Sequence, residues 1–342
     1  MRLLFVHDRF APDFAGGGEY VVLMLAKTMQ SLGHTVKVVV TGDPSQASFD
    51  GVETHRLPYS PYRLNLGWRR VAELGQDADL IQTFTYHGQY PSVRAARHLG
   101  VPVVCMVLAL FGPGWRSIRG PVISRLFQRV ERRLMNLPFD ARVFLSDFSL
   151  AFSRDIGCIP GPDYVIEPGI SLELYSPAQH KSGVLFSGKL EDRKGIQQVL
   201  ETARRLPDVP FTVMGWGDRN SMVNSPPNVT YLPFSNRETL AKVMAETCLF
   251  VFPTQVETFG LAVAEAMASG CAVVSSSKLP FSGIYLKDTS ADAITAAITE
   301  LIRDPERCRR LGADNVEKAQ RYNWHRHGIA MDDLYRSLTG AL

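Results

Sequence analysis

The sequence predicts an α/β protein built from two doubly wound parallel-sheet domains. Short apolar runs rich in Val, Ile and Phe alternate with longer stretches whose apolar residues recur at helical spacing. This alternation lapses once, in the stretch "IEPGISLELYSPAQHKSG", which contains Pro, Gly and Ser. The chain has 342 residues, which is too long for one typical core and suits two. We therefore predict one domain over residues 1–170 and a second from residue 171 onward.

The first domain opens with a β-α-β unit. The run "RLLFVHD" predicts a strand, "FAGGG" a glycine turn, and "EYVVLMLAKTMQSLGH" a helix that ends at Gly33. "TVKVVVTG" predicts the second strand. Further strands are predicted in "ADLIQTF", "VPVVCMVLAL", "ARVFLSD" and "YVIEPG", and a helix in "YPSVRAARHLG". This order is typical of a parallel sheet covered by helices.

The second domain repeats the pattern. Strands are predicted in "GVLFSG", "PFTVMG", "NVTYLPF", "CLFVFPT" and "CAVVSSS". Helices are predicted in "GIQQVLETARRL", in "RETLAKVMAET" and in the stretch around "ETFGLAVAE", with two more helical segments before the C-terminus. The second domain is therefore also predicted to be doubly wound and Rossmann-like.

Composition and charge exclude several classes of protein. Hydrophobic residues make up 45% and charged residues 21%, which argues against disorder and coiled coil. A net charge of +3 is too small to indicate a nucleic-acid partner. The five cysteines are scattered and form no CxxC pair, which favours a reducing cytoplasm over a disulfide framework or a zinc site. No segment reaches the roughly 18 apolar residues of a membrane span. We expect a cytoplasmic protein, at most peripheral on the inner face of the membrane.

The stretch "ETFGLAVAE" carries a candidate ligand site. Glu257 follows the predicted strand "CLFVFPT", and ligands of open α/β sheets bind beyond the carboxyl ends of strands. Gly260 permits close backbone approach, and the free N–H groups at the start of the next helix can hold an anion. Carboxylates repel phosphate, so Glu257 and Glu265 are expected to accept hydrogen bonds from hydroxyls. Two hydroxyl acceptors that flank an anion site suit a nucleotide-sugar.

Two glycine-containing loops support an anionic ligand. "SGKLEDRKG" joins a strand to a helix and carries Lys189, Arg193 and Lys194, which can stabilise a departing diphosphate. "GGG" at residues 16–18 occupies the first βα turn, where Rossmann-like folds hold phosphate. It is not a GxGxxG motif, so it is a weak dinucleotide signal.

These motifs together resemble the retaining glycosyltransferases of family 4, which have the GT-B fold. "ETFGLAVAEAMASGCAVVSS" matches the E-x7-E segment of the family, "GKLEDRKG" its "GRL…KG" loop and "VMGWGD" its "VGxG" turn. "IEPGISLELYSP" matches the family's linker and "GGGE" its N-terminal glycine loop. The resemblance implies two Rossmann-like domains facing a central cleft. It makes residues 171–323 the donor-binding domain and predicts that a final helix, residues 324–342, packs back onto the first domain.

The resemblance implies hexose transfer from a nucleotide-diphosphate sugar to an acceptor hydroxyl, with retention at the anomeric carbon. The donor is expected to be of the UDP or GDP type, with no other cofactor. The acceptor would be a glycan, a lipid-linked molecule or a small molecule. Two other functions stay open, namely a nucleotide-sugar epimerase of the same fold and a non-catalytic protein that binds sugar nucleotides.

The resemblance also assigns roles to individual residues. Glu257 would orient the sugar, while Lys189 and Lys194 would neutralise the leaving diphosphate. Glu265 would bind the ribose. Donor binding, which includes the sugar, the diphosphate, the ribose and the base, would fall on Gly16, Gly17, Gly215, Phe234, Thr258, Phe259, Gly260, Leu261 and Glu265.

Two positions depart from the family pattern. The arginine of "GRL" is Lys189 here, which keeps the charge but loses bidentate phosphate contact. Many members carry a His-Asp pair after the strand that matches "PVVCMV", whereas this chain has Leu108 and Ala109. His87, at another strand end, is the candidate to substitute on the acceptor side, together with Gly18.

No metal site is predicted, and one segment is a candidate for membrane contact. The "DAD" at residues 77–79 precedes its strand, whereas a metal-diphosphate site needs carboxylates beyond the carboxyl end of a strand. Residues 114–137 are basic and roughly amphipathic. This segment is either a solvated helix face or a dock for anionic lipid or a phosphorylated acceptor.

Overall fold

The computed structural model describes residues 1–13 and 16–340 and divides into two compact units. Unit 1 comprises Met1–Gly169 with Trp324–Leu342, and unit 2 comprises Ile170–Asn323. Four residues to which sequence predictions extend lie outside the described part. They are Phe14 and Ala15 of the predicted glycine turn, and Ala341 and Leu342 of the predicted final helix.

Unit 1 is built on an eight-stranded sheet whose spatial order is β3-β4-β2-β1-β5-β6-β7-β8. Its strands are β1 (Arg2–Val6), β2 (Thr35–Thr41), β3 (Ser48–Phe49), β4 (Val52–Leu57), β5 (Leu80–Phe84), β6 (Val103–Val107), β7 (Ala141–Phe144) and β8 (Asp163–Val165). The β3–β4 pair is antiparallel and every other pair is parallel. The central strands are buried on both faces, as Leu3 to Val6 of β1 show with at most 2% exposure.

Helices cover this sheet. They are α1 (Gly17–Ser31), α2 (Pro61–Leu64), α3 (Trp68–Leu74), α4 (Gln89–Leu99), α5 (Trp115–Met135) and α6 (Asp147–Asp155). Helix α5 is broken by a non-helical residue, Gly120, followed by Pro121, which has no N–H to donate. None of the helices in residues 1–13 and 16–340 is long and apolar enough to cross a membrane.

Unit 2 is built on a six-stranded, all-parallel sheet in the order β11-β10-β9-β12-β13-β14. Its strands are β9 (Ser182–Leu190), β10 (Phe211–Gly217), β11 (Val229–Pro233), β12 (Thr247–Phe252), β13 (Ala272–Ser275) and β14 (Gly283–Tyr285). Its helices are α7 (Ile196–Arg205), α8 (Arg237–Ala245), α9 (Leu261–Ala268), α10 (Ala291–Ile302) and α11 (Pro305–Ala319). Helix α12 (Trp324–Thr339) follows and belongs to unit 1. The predicted α/β class with two parallel-sheet domains is confirmed.

The structure adds elements that the sequence pattern did not predict. Strand β4 has the polar sequence "VETHRL", in which the side chain of Arg56 is fully buried. Asp13 accepts a hydrogen bond from Arg56 at 2.7 Å, so the buried cation has a partner that hydropathy does not indicate. Three helices close the chain where two were predicted. Asp304 caps α11 and Pro305 stands at its first position, which separates α11 from α10.

Candidate functional site

The loops that carry the predicted residues of unit 2 lie at one edge of its sheet. Strands β9, β10 and β12 run parallel to one another, so their carboxyl ends share this edge. The loop after β9 carries Lys194, and Gly215 lies near the carboxyl end of strand β10. The loop after β12 carries Glu257 toward α9. The fold thus brings together residues that are 63 positions apart, namely Lys194 and Glu257.

Glu257 is paired with Lys194. The Lys194 Nζ donates to Glu257 Oε2 at 2.8 Å, and both side chains are mostly buried. The ammonium also lies 5.1 Å from the centroid of the Phe252 ring, a cation–π distance. The backbone N–H of Thr258 donates to Glu257 Oε1 at 3.2 Å. A carboxylate offers about four lone-pair sites, so this one is fixed and can still accept from a ligand hydroxyl.

The start of α9 places backbone rather than side chains at this edge. Gly260 adopts φ of 102°, a conformation that favours glycine, and Leu261 is the first helical residue. Thr258 and Phe259 are buried, and the Phe259 ring packs edge-on against Tyr322 at 5.2 Å. The first N–H groups of a helix lack partners within the helix. These residues therefore support an anion cradle made of main-chain N–H groups.

Glu265 is paired with Arg237, a residue that the sequence reasoning did not single out. Glu265 lies within α9 with its side chain 3% exposed, and the Arg237 Nη1 donates to its Oε1. A buried carboxylate requires a partner, because desolvation of an unpaired charge is costly. Both acids of "ETFGLAVAE" are therefore paired with a cation. Lys194 comes from the loop after β9, and Arg237 is the first residue of α8.

Lys189 does not join the Lys194–Glu257 pair. Its ammonium pairs with Glu191, and the lysine side chain is 45% exposed. Arg193 also donates to Glu191, from Nε to Oε2 at 2.6 Å. Burial would raise the pKa of Glu191, but Lys189 and Arg193 outweigh burial and hold that pKa below its usual value. The loop after β9 is thus a small cluster with two cations around one acid.

Gly215 and Phe234, predicted to frame a base, lie side by side. The backbone N–H of Phe234 donates to the Gly215 carbonyl at 2.9 Å, and the Tyr231 hydroxyl donates to the same oxygen at 3.2 Å. A Cβ at Gly215 would lie 2.3 Å from the Gly188 carbonyl oxygen, so this position requires glycine. The Phe234 ring packs on Trp216 at 5.4 Å and is only partly buried.

In unit 1, the glycine loop lies next to the end of β6. Gly16 is the N-cap of α1 and Gly17 its first residue, without a side-chain cap. A Cβ at Gly18 would lie 3.5 Å from Leu108 Cδ1, in ordinary van der Waals contact. Leu108 therefore packs beside the glycine loop, and its apolar side chain offers no hydrogen bond there.

His87 follows β5, and its hydrogen bonds indicate which ring nitrogen carries the proton. The Asn65 Nδ2 donates to the Tyr62 carbonyl at 3.0 Å, which fixes the orientation of the amide. The same Nδ2 lies 3.2 Å from His87 Nδ1. Nδ1 must therefore accept, and the neutral ring carries its proton on Nε2. Burial lowers the pKa of His87, against the opposing charge of Asp8, so the ring presents a donor and not a base at neutral pH.

Glu131 organises the strand-end loops around Leu108 and Ala109, and the sequence reasoning missed it. Its Oε1 accepts from the Phe111 N–H at 2.9 Å and from the Tyr86 hydroxyl at 2.6 Å. Its Oε2 accepts from the Gly112 N–H at 2.7 Å. Glu131 is 2% exposed and is the one acid of the basic segment 114–137, a signal that could have identified it. It links the loop after β5 to the loop after β6.

The outer surface of α5 combines exposed cations with exposed apolar residues. The apolar residues are Ile118, Val122, Ile123, Leu126 and Val130, which are 36% to 83% exposed. The exposed arginines are Arg116, Arg119, Arg125, Arg129, Arg132 and Arg133. The buried residues of α5 are Ser124, Glu131 and Met135. The segment is therefore apolar on its exposed side as well, unlike an ordinary solvated helix face.

No three His, Cys, Asp or Glu side chains within residues 1–13 and 16–340 are grouped so that they could hold a metal ion. The two carboxylates of "DAD" are each paired with a cation. Asp77 accepts from Lys37 Nζ at 3.0 Å, and Asp79 accepts from Arg2 Nη2 at 2.8 Å.

Solved structures share the fold over the full length of the chain. Sucrose-phosphate synthase from Thermosynechococcus elongatus superposes with a TM-score of 0.87 at 20% identity, covering 100% of both chains. The HepE protein of Anabaena in complex with UDP-glucose superposes with a TM-score of 0.82 at 18% identity, covering 99% of this chain and 100% of that one. Two doubly wound units with these structural neighbours define the GT-B fold.

Sequence comparison identifies the family. The model for Glycosyltransferase Family 4 matches residues 15–174, and the model for Glycosyl transferases group 1 matches residues 176–318. The phosphatidyl-myo-inositol mannosyltransferase of Mycolicibacterium smegmatis is 24% identical over 96% of this chain and 92% of its own. The D-inositol 3-phosphate glycosyltransferase of Segniliparus rotundus is 27% identical over 52% of this chain and 47% of its own. The chain belongs to glycosyltransferase family 4.

Proposed function

We propose that this glycosyltransferase transfers a hexose from a UDP- or GDP-type sugar to an acceptor hydroxyl, with retention and without a metal. The observation that carries the proposal is the Lys194–Glu257 pair, 2.8 Å apart, beside the first turn of α9. It combines a hydroxyl acceptor, a cation and main-chain N–H groups at the sheet edge where α/β ligands bind. These three kinds of group together suit a nucleotide-sugar, which presents hydroxyls and a diphosphate.

In the proposed reaction, the bond from the anomeric carbon to the leaving diphosphate breaks as the acceptor oxygen attacks from the same face. The acceptor proton passes to the departing phosphate oxygen. Lys194, Lys189 and the N–H groups of α9 stabilise the negative charge that develops there, which supplies electrostatic stabilisation without a metal. Glu257 orients the sugar hydroxyls and does not attack.

Two observations support the donor class. The HepE protein of Anabaena has been solved with UDP-glucose, and the relative in Mycolicibacterium smegmatis is a mannosyltransferase, so related chains use hexoses. Gly215 and Phe234 are joined by a backbone hydrogen bond and would hold the base. Glu265 would accept from the ribose hydroxyls. On the acceptor side, His87 Nε2 would donate in place of the missing His-Asp pair.

We further propose that the protein is cytoplasmic and that α5 docks on the inner face of an anionic membrane. Exposed Leu126 and Val130 would enter the lipid interface while the neighbouring arginines meet anionic headgroups. The relative in Mycolicibacterium smegmatis acts on phosphatidyl-myo-inositol, which supports a lipid-linked acceptor.

The Glu257→Ala variant tests the proposal through release of nucleotide diphosphate from the donor sugar. We expect turnover to fall about 100-fold or more, because the sugar loses its orienting acceptor and Lys194 loses its partner. Glu300→Ala is the matched control, because it removes an exposed glutamate that pairs with Arg307 elsewhere in unit 2. Unchanged turnover in Glu257→Ala would refute the assignment. Donor binding without turnover in the wild type would indicate a non-catalytic protein. Release of the sugar in a new configuration, without an acceptor, would indicate an epimerase.

A further inference from the structure

Arg237 occupies a position that helix energetics disfavours. It is the first residue of α8, where the helix dipole presents partial positive charge. The helix start is already stabilised by other groups, because the Asn236 side chain accepts from the Thr239 N–H at 2.8 Å and Glu238 supplies an acid. A cation at this point therefore does not serve the helix start, and its guanidinium donates to Glu265 instead.

The Arg237–Glu265 contact leaves acceptor capacity on the carboxylate. Arginine presents five N–H donors in a rigid fork, and a carboxylate offers about four lone-pair sites. Arg237 is itself mostly buried, with 17% of its side chain exposed, so the pair is little screened by solvent. The guanidinium can thus hold the carboxylate in one orientation while other lone pairs receive ligand hydroxyls.

One loop joins this pair to the position of the base. Phe234 directly follows β11, and Arg237, three residues later, begins α8. Phe234 is tied to Gly215 by the 2.9 Å backbone hydrogen bond. The same short segment therefore contacts the turn that would frame the base and the acid that would bind the ribose.

We propose that Arg237 is a positioning residue for ribose recognition, which holds the Glu265 carboxylate so that it accepts from the 2′- and 3′-hydroxyls of a nucleoside diphosphate. The proposal rests on the proposed function, since it deepens the recognition of the donor. Arg237 acts through Glu265 and not on the phosphates. It thereby makes the enzyme selective for ribonucleotides over deoxyribonucleotides.

Isothermal titration with UDP and GDP and with their 2′-deoxy and 3′-deoxy forms tests this role. In the wild type, we expect the preferred ribonucleotide to bind about 10-fold or more tightly than its deoxy forms, as for loss of a hydrogen bond to a charged group. In Arg237→Gln, the affinity for the ribonucleotide should fall by about that factor. The affinity for the deoxy forms should stay within about twofold of the wild-type value. Arg237→Lys, which keeps the charge without the fork, restores part of the preference.

Arg307→Gln is the control, because Arg307 also pairs with a glutamate, Glu300, but does so between α11 and α10, and it should change neither affinity nor preference. Thermal denaturation establishes whether each variant is folded. If Arg237→Gln does not fold, Arg237→Lys, which retains a partner for the buried acid, is compared with the wild type instead. Equal weakening of ribo and deoxy forms would overturn the proposal and indicate a phosphate or base contact. A preference retained in Arg237→Gln would also overturn it. A folded wild type that binds none of these diphosphates would refute the proposed function itself.

Discussion

At the residue scale, acids and cations in this protein are matched across long sequence separations. Glu257 pairs with Lys194, which lies 63 positions earlier in the chain, and Glu265 pairs with Arg237, which lies 28 positions earlier. The sequence predicted the acids and Lys194 because they stand in recurring motifs at strand ends. It did not predict Arg237 or Glu131, because charged residues within helical patterns usually face solvent, and only the fold determines which of them turn inward.

His327 gives a pH-dependent prediction. It is fully buried in α12, its Nδ1 donates to the Glu167 carbonyl at 2.9 Å, and burial lowers its pKa to about 4. The unfolded chain binds this proton at about pH 6.5, so stability from the neutral ring is present above pH 6.5 and is lost as the pH falls toward 4. The loss amounts to about 3 kcal/mol over this range.

Urea denaturation at pH 7.5 and pH 4.5 measures this effect. His327→Gln keeps a donor for Glu167 but does not titrate, so its midpoint should fall less between the two pH values than that of the wild type. His180→Gln, at an exposed position, should behave like the wild type. An identical fall in the wild type and His327→Gln would show that this histidine does not contribute to acid sensitivity.

At the element scale, the two sides of helix α5 differ in the residues that they carry. Its inner side carries Glu131, which fixes the loops after β5 and β6, while its outer side exposes apolar residues and arginines. Sequence periodicity predicted a basic amphipathic segment there. It could not predict the exposed apolar side, because periodicity gives the faces of a helix but not which face the rest of the chain covers.

Vesicle co-sedimentation tests the proposed membrane contact of α5. The wild type should bind vesicles that contain anionic lipid, more weakly at high salt, and should not bind neutral phosphatidylcholine vesicles. Arg125→Glu with Arg129→Glu should weaken binding about tenfold or more, since each cation near such a surface contributes about 1 kcal/mol. Arg309→Glu with Arg310→Glu makes the same charge change on exposed positions of unit 2 and should have little effect. Equal binding of both vesicle types would contradict the proposal.

At the scale of the whole molecule, the α/β class, most strands and the family were predictable from the sequence. Strand–helix alternation is a local pattern, and the glycine-containing motifs stand at strand ends, where folds of this class place their ligands. Strand β4 was not predictable, because its buried Arg56 depends on Asp13, 43 residues away. The division of the final region into α10, α11 and α12 was missed although "RDPER" contains a cap and a proline that mark a helix start. The acceptor is the least predictable feature, because Leu108 and Ala109, at the end of β6, have apolar side chains that indicate no ligand chemistry.

The central claim is that this glycosyltransferase binds a nucleotide-diphosphate sugar without a metal. A thermal-shift panel with UDP, GDP, ADP and TDP and their hexose sugars, each with and without EDTA, tests it most directly. Nucleotides with one of these bases should raise the melting temperature by several degrees, because a ligand at 100 times its Kd adds about 2.7 kcal/mol to stability. This shift should persist in EDTA. In Glu257→Ala it should be reduced for the sugar nucleotide, because Glu257 contacts the sugar, and should change less for the free diphosphate. A panel in which no nucleotide raises the melting temperature, or in which EDTA abolishes the shift, would contradict the account.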